Sequence, residues 1–110
     1  MALSPPQDRR IDPRKPGAAR GVVTAHALEV GCVIADVSVS GLRIRMDRQM
    51  ALPARVVVVD IAAGVAHEVE LVWQKAQEAG LKRAAQTSLR GLSPSRLVSA
   101  REAWIRAGGR

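Results

Sequence analysis

The chain reads as all-β, a small antiparallel barrel or sandwich, followed by one helix. Three observations carry that reading. Six short segments rich in Val, Ile and Leu recur roughly every ten residues, with turn-forming residues between them. Some of them alternate apolar with charged side chains, the period of a half-buried strand. After Ser93-Pro94 the apolar period changes to helical.

Each element follows in order. Residues 1–16 hold four of the six prolines, Pro5, Pro6, Pro13 and Pro16, and a run of charge from Arg9 to Lys15. Proline fixes φ and donates no hydrogen bond, so this segment reads as an extended, mobile arm. Gly21 to Ala27 and Glu29 to Ala35 are two strands supplied with β-branched residues by Val22, Val23, Val30, Val33 and Ile34. Leu42-Arg43-Ile44-Arg45-Met46 alternates strictly and predicts a third. Arg55 to Ile61 is a Val run, expected to be well buried, and Gly64 marks the turn to its hairpin partner, Glu68 to Gln74. Period two puts Val69, Leu71 and Trp73 on one face of that partner, with Glu68, Glu70 and Val72 on the other. Ala79-Gly80 is read as the next turn, before a strand Leu81 to Thr87, whose Lys82, Arg83, Ala84 and Ala85 are poor strand formers.

The last element opens on Ser93 as N-cap with Pro94 at the first helical position. Leu97, Val98, Arg101, Trp104 and Ile105 fall on one stripe, and Gly108-Gly109 ends it. A helix of about three turns over one end of the barrel is expected, with Trp104 as its anchor. The organisation predicted is thus an arm over 1–16, a β-domain over 17–91 and a helix over 92–107.

Composition narrows the function. The chain has 110 residues, 47% of them apolar, which suits one domain with a single core and argues against disorder throughout. That core must be aliphatic, because there are two Trp and no Phe or Tyr. So few aromatics argue against a general single-strand nucleic-acid platform, which stacks bases on rings. The net charge of +7 points to an anionic partner or serves solubility. Of the 17 basic residues 14 are Arg, whose planar fork favours phosphate or guanine. Cys32 is the sole cysteine, which excludes an intrachain disulfide and reads as a small buried hydrophobe. There is no apolar leader, and the longest apolar stretch, Val56 to Ala66, is short and broken by Asp60. A soluble, cytoplasmic protein without membrane insertion is expected.

Two short motifs carry chemistry. Arg10 and Arg14 form R-x-x-x-R, and Asp36, Ser38 and Gly41 form D-x-S-x-x-G. Alone, the first could be a solvated basic tail and the second an Asx-type turn. Their order, and the two strands that fill the residues 15–35 between them, resemble the PilZ domain, a bacterial receptor module for the second messenger cyclic di-GMP (c-di-GMP). The likeness extends over roughly Asp8 to Gly91 and includes the later Val69-Glu70-Leu71-Val72-Trp73 and Gly80-Leu81. It implies a six-stranded antiparallel PilZ-type β-barrel. It also implies a nucleotide-binding site in which Arg10 and Arg14 grip phosphate and guanine while Asp36, Ser38 and Gly41 read a guanine edge. An Arg just before the first motif, here Arg9, accompanies binding of a stacked ligand dimer in the family. One departure stands out: the family commonly has Gly, an aliphatic residue, any residue, then Phe, whereas Gly80-Leu81-Lys82 leads here to Arg83.

No catalytic arrangement emerges. His26 and His67 stand apart from any second ligand at metal-binding spacing, Ser38 and Ser40 lack a nucleophile-elbow setting, and no phosphate-cradling G-x-x-x-x-G-K-[ST] loop occurs. The expectation is a single-domain c-di-GMP receptor, not an enzyme, with no cofactor. It would order its arm on the barrel and pass the signal to a protein effector. The alternative is a degenerate PilZ-like protein–protein adaptor that does not bind the nucleotide, and nonspecific nucleic-acid binding is the weaker rival.

Overall fold

The computed structural model describes residues 19–109. The expected arm, with Arg9, Arg10 and Arg14, lies outside the described residues. Six strands, β1 (Ala19–Ala25), β2 (Leu28–Val37), β3 (Gly41–Met46), β4 (Arg55–Asp60), β5 (Val65–Lys75) and β6 (Glu78–Ser88), precede a short 3-10 turn, Ser95–Leu97, and helix α1 (Val98–Arg106). The strands close into an antiparallel barrel in the order β1-β2-β3-β6-β5-β4. The six-stranded barrel and its C-terminal helix are therefore as expected.

Alternation fills the interior. Val23, Cys32, Ile34, Ile44, Met46, Val58, Val69, Ala79 and Leu81 point inward and form the main core. With no bulky ring among them, a six-stranded barrel is narrow enough for aliphatic side chains to fill. The Val run of β4 needs both its faces covered. Val56 and Val58 join the interior, while Val59 meets a second cluster outside the wall with Val22, Ala66, Leu89, Leu97, Ala100, Ala103 and Trp104. Helix α1 supplies that cover by lying on β1 and β4, on the wall rather than over one end.

Three local expectations are corrected. The helix does not start from Ser93: Pro94 has ψ 149°, outside the helical region, and no side chain caps the 3-10 turn that begins at Ser95. Its buried stripe is Leu97, Ala100, Ala103 and Trp104, with Val98 and Ile105 exposed and Arg101 Nε donating to the Leu89 carbonyl. Alanines set that phase because they let the helix backbone approach the wall closely. At the other end the reading holds: Gly108 at φ 100° donates to Ile105 and Gly109 donates to Trp104, a Schellman motif. Trp104 is the anchor, 2% exposed, with Nε1 donating to the Ile61 carbonyl at 2.8 Å.

The β5–β6 turn is at Ala76-Gln77, not at Ala79-Gly80. Ala76 takes φ 54° there and Ala27 takes φ 57° in the β1–β2 turn, left-handed conformations that cost an L-residue with a Cβ. Gly80 is instead a strand residue, opposite Trp73 on β5. Third, Trp73 does not share a face with Leu71. A bulge at Val72 (Leu71 pairs with Leu81 but Trp73 with Gly80) shifts the alternation by one and sends the indole outside.

Candidate functional site

The D-x-S-x-x-G residues occupy the end of β2, the turn to β3 and the first residue of β3. Ser38 closes this turn on itself. Its N–H donates to the Gly41 carbonyl at 2.9 Å, and its Oγ accepts from the Gly41 N–H at 3.3 Å. Gly41 is required by contact with the neighbouring strand, since a Cβ there would lie 2.2 Å from the Leu81 carbonyl oxygen. Asp36 is half-buried, and its Oδ2 accepts from Arg43 Nε across the hairpin at 2.7 Å. Arg43 Nη1 also lies 3.6 Å from Glu78.

Strand register extends this pair into a row. Asp36 on β2 faces Arg43 on β3, Arg43 faces Gly80 on β6, and Gly80 faces Trp73 on β5. Directly opposed residues share a face of a sheet, so the four form one cross-strand line on the outer wall. Bulges at both ends, near Ala35 and at Val72, bring the terminal members into it. Gly80 matters because the indole lies over it: an added Cβ would meet Trp73 Nε1 at 2.1 Å. The result is a carboxylate, a guanidinium and an aromatic face in sequence across four strands. Gly41 and Lys82, opposite each other, form the next rung. These residues border an open cleft of about 540 Å³, along with Ser38, Ser40, Leu42, Val72 and Leu81. Its size falls in the range of roughly 300–1,000 Å³ common to small-molecule sites.

The structure thus brings Asp36, Ser38 and Gly41 to one cleft. Arg43, Trp73 and Lys82 are members that the sequence reading placed only in strands. Arg43 carries a signal in retrospect, being an outward residue two past Gly41. Trp73 carries none, because only the bulge turns it outward.

The chain's departure at Arg83 also resolves. Strand β6 is continuous through it, and Arg83 stands opposite Val69, half-buried on the inner face. Its Nη1 donates to the carbonyls of Ser38 at 2.8 Å and Val39 at 2.7 Å, and its Nε to His67 Nδ1 at 3.3 Å. Burial, then the nearby Arg83 guanidinium, holds the His67 pKa below the usual imidazole value. Cys32 is fully buried in the interior, and burial pushes its thiol up to about 12. Among the described residues no His, Cys, Asp and Glu cluster is fit to hold a metal, and no helix is long and apolar enough to cross a membrane.

Comparison with known proteins adds one positive finding. No curated protein and no solved structure is significantly similar to the chain. The sequence model of the PilZ domain matches residues 8–93, a span that takes in all six strands, the turn that carries Asp36, Ser38 and Gly41, and the segment with Arg10 and Arg14. The chain belongs to the PilZ domain family.

Proposed function

We propose that this PilZ domain is a receptor for cyclic di-GMP. In this reading its barrel half-site is the cleft along Asp36, Arg43, Gly80 and Trp73, and Arg9, Arg10 and Arg14 supply the rest. The observation that carries it is the cross-strand row. Cyclic di-GMP is a dianion with two guanines, and its recognition needs cations, an acceptor for guanine N–H groups and a flat apolar face. Asp36, held by Arg43, offers the acceptor. Lys82 and Arg43 offer positive charge beside it, and Trp73 a stacking surface. The arginines of the R-x-x-x-R motif suit phosphate oxygens and the guanine O6/N7 edge, both of which fit a guanidinium fork. Binding would order the N-terminal segment on the barrel, and Arg9 would support a stacked ligand dimer. The ordered segment would then be read by a protein effector, in the bacterial cytoplasm.

Calorimetric titration with cyclic di-GMP at physiological salt, with GTP as control, tests the reading. Micromolar or tighter binding with one or two ligands per chain is the expected result. Absence of binding would reject it in favour of an adaptor that recognises protein alone. Arg14→Ala should cost about 1.5–3 kcal/mol, the range for hydrogen bonds to charged groups, or roughly 10- to 150-fold in affinity. Arg106→Ala should change little, because that guanidinium is paired with Glu29. Equal losses at both would show diffuse attraction instead of a site.

A further inference from the structure

The turn that carries Ser38 is fastened to the barrel chiefly through one residue that does not line the cleft. Arg83 reaches three consecutive carbonyls of the turn. Its side chain donates to Ser38 and Val39, and its own backbone N–H donates to Ser40 at 2.8 Å. Because each peptide unit is planar and trans, a carbonyl drawn toward Arg83 turns the following N–H the opposite way. The guanidinium therefore sets the facing of the Val39 and Ser40 N–H groups as well. The turn itself projects from the barrel, with Val39 89% exposed, so side-chain packing does little to hold it. Successive residues of β6 act on opposite faces of the strand: Lys82 borders the cleft, and Arg83 works from the inner side. The guanidinium is itself steadied by the buried His67.

We infer that Arg83 is a positioning residue of the ligand site, a strut that holds the Ser38–Ser40 backbone in its binding form without touching the ligand. The inference rests on the proposed cyclic di-GMP reading of the cleft, and it assigns a role to the residue at which this chain departs from its family. A planar fork suits the task because one terminal nitrogen meets two carbonyls while Nε keeps its bond to the imidazole.

The test compares Arg83→Met, which keeps the stem and removes every side-chain donor, with Arg83→Lys, which restores one. Each variant is titrated with cyclic di-GMP, and amide hydrogen exchange is followed by NMR at Ser38 and Gly41 without ligand. The expected result is a loss of about tenfold in affinity for Arg83→Met, the size of one charge-assisted hydrogen bond. Partial recovery is expected in Arg83→Lys, with faster exchange confined to the turn. Should Arg83→Met fail to fold, Arg83→Lys against wild type carries the comparison, with a smaller loss expected. Affinity within twofold of wild type in the variants that fold would overturn the proposal. So would a loss matched by a core variant of equal melting temperature, such as Ile44→Val. If the wild-type chain does not bind cyclic di-GMP, the ligand reading falls. Exchange at Ser38 and Gly41 still decides the strut: faster exchange in the variant sustains it, and unchanged exchange removes it.

Discussion

Opposite walls of this barrel follow opposite rules. In the order β1-β2-β3-β6-β5-β4, the β1–β4 pair lies across from the β3–β6 pair. The outer face of the first carries Val22 and Val59, sealed by Ala100, Ala103 and Trp104 of α1. The outer face of the second carries Arg43, Gly80 and Lys82, and borders the open cleft. The two tryptophans condense the difference. Trp104 is 2% exposed and its N–H is bonded inside, whereas Trp73 is 42% exposed and lies over a glycine. One wall spends its apolar surface on stability; the other leaves an aromatic face and charges available to a ligand.

The largest expected effect is at the sealed wall. Trp104→Ala should lose about 3–5 kcal/mol of stability, the usual cost of truncating a buried aromatic. For a domain of this size that is a fall in Tm of more than about 12 °C. Affinity of the folded fraction for cyclic di-GMP should be unchanged. Trp73→Ala should do the reverse, shifting stability by less than about 1 kcal/mol and weakening ligand binding by about 1–3 kcal/mol if a base stacks on it. Melting curves and titrations of both variants decide the matter, and a large Tm loss at Trp73 would mean that the open wall is structural after all.

Next in size is Gly41→Ala. Its methyl would run into the Leu81 carbonyl and push β3 from β6, at a cost of about 1–3 kcal/mol. Because the same glycine closes the Ser38 turn, affinity should fall beyond what lost stability explains. A variant that melts lower but binds normally would separate the strand contact from the site.

A smaller effect is set by pH. The folded-state pKa of His67 is depressed, by burial and then by Arg83, so folding favours the neutral imidazole. Its contribution is present above the unfolded value of about 6.5 and is lost as pH falls through the lower folded value. Asp47 and Glu68, held down by hydrogen bonds from Arg20 and Arg96, act in the same direction but only below the carboxylate range of about 4. Tm should therefore drop between pH 7 and pH 5 in the wild type and drop less in His67→Gln. Equal drops would exonerate the imidazole. The smallest change expected is a gain: Ala76→Gly should relieve the φ of 54° and stabilise by up to about 1 kcal/mol, visible as a higher Tm.

The fold was largely legible because barrel strands announce themselves by alternation and by the turns between them. Leu42 to Met46 did so cleanly, and the Val run of β4 signalled a well-buried strand. What misled was a change of phase. One residue of bulge at Val72 reversed Trp73, and alanines at 100 and 103, neutral in any apolar count, rotated the buried stripe of α1 away from Val98 and Ile105. Of the candidate site, Asp36, Ser38 and Gly41 were readable as a motif because they lie together in sequence, and the structure brings them to one cleft. Arg43, Gly80 and Trp73 were not, because only the register of four strands and two bulges aligns them. Arg83 looked like a flaw in a core strand, and its reach across the barrel mouth to the Ser38 turn has no signature in local sequence. Arg9, Arg10 and Arg14 lie outside the described residues, so their part stays with the proposed function.

Closure of the barrel has a consequence for how any partner can meet this domain. Each of the six strands pairs with a neighbour on both sides over part of its length, and overhangs such as β6 after Arg83 and β5 after Leu71 pair on one side alone. Recognition by strand addition, a common way for a sheet to capture a peptide, is thereby confined to those short overhangs. Elsewhere on the barrel a partner must grasp side chains. The same closure keeps the Val run of β4 paired with both neighbours from Val57 to Asp60, which shields it from templating a fibre while the domain stays folded.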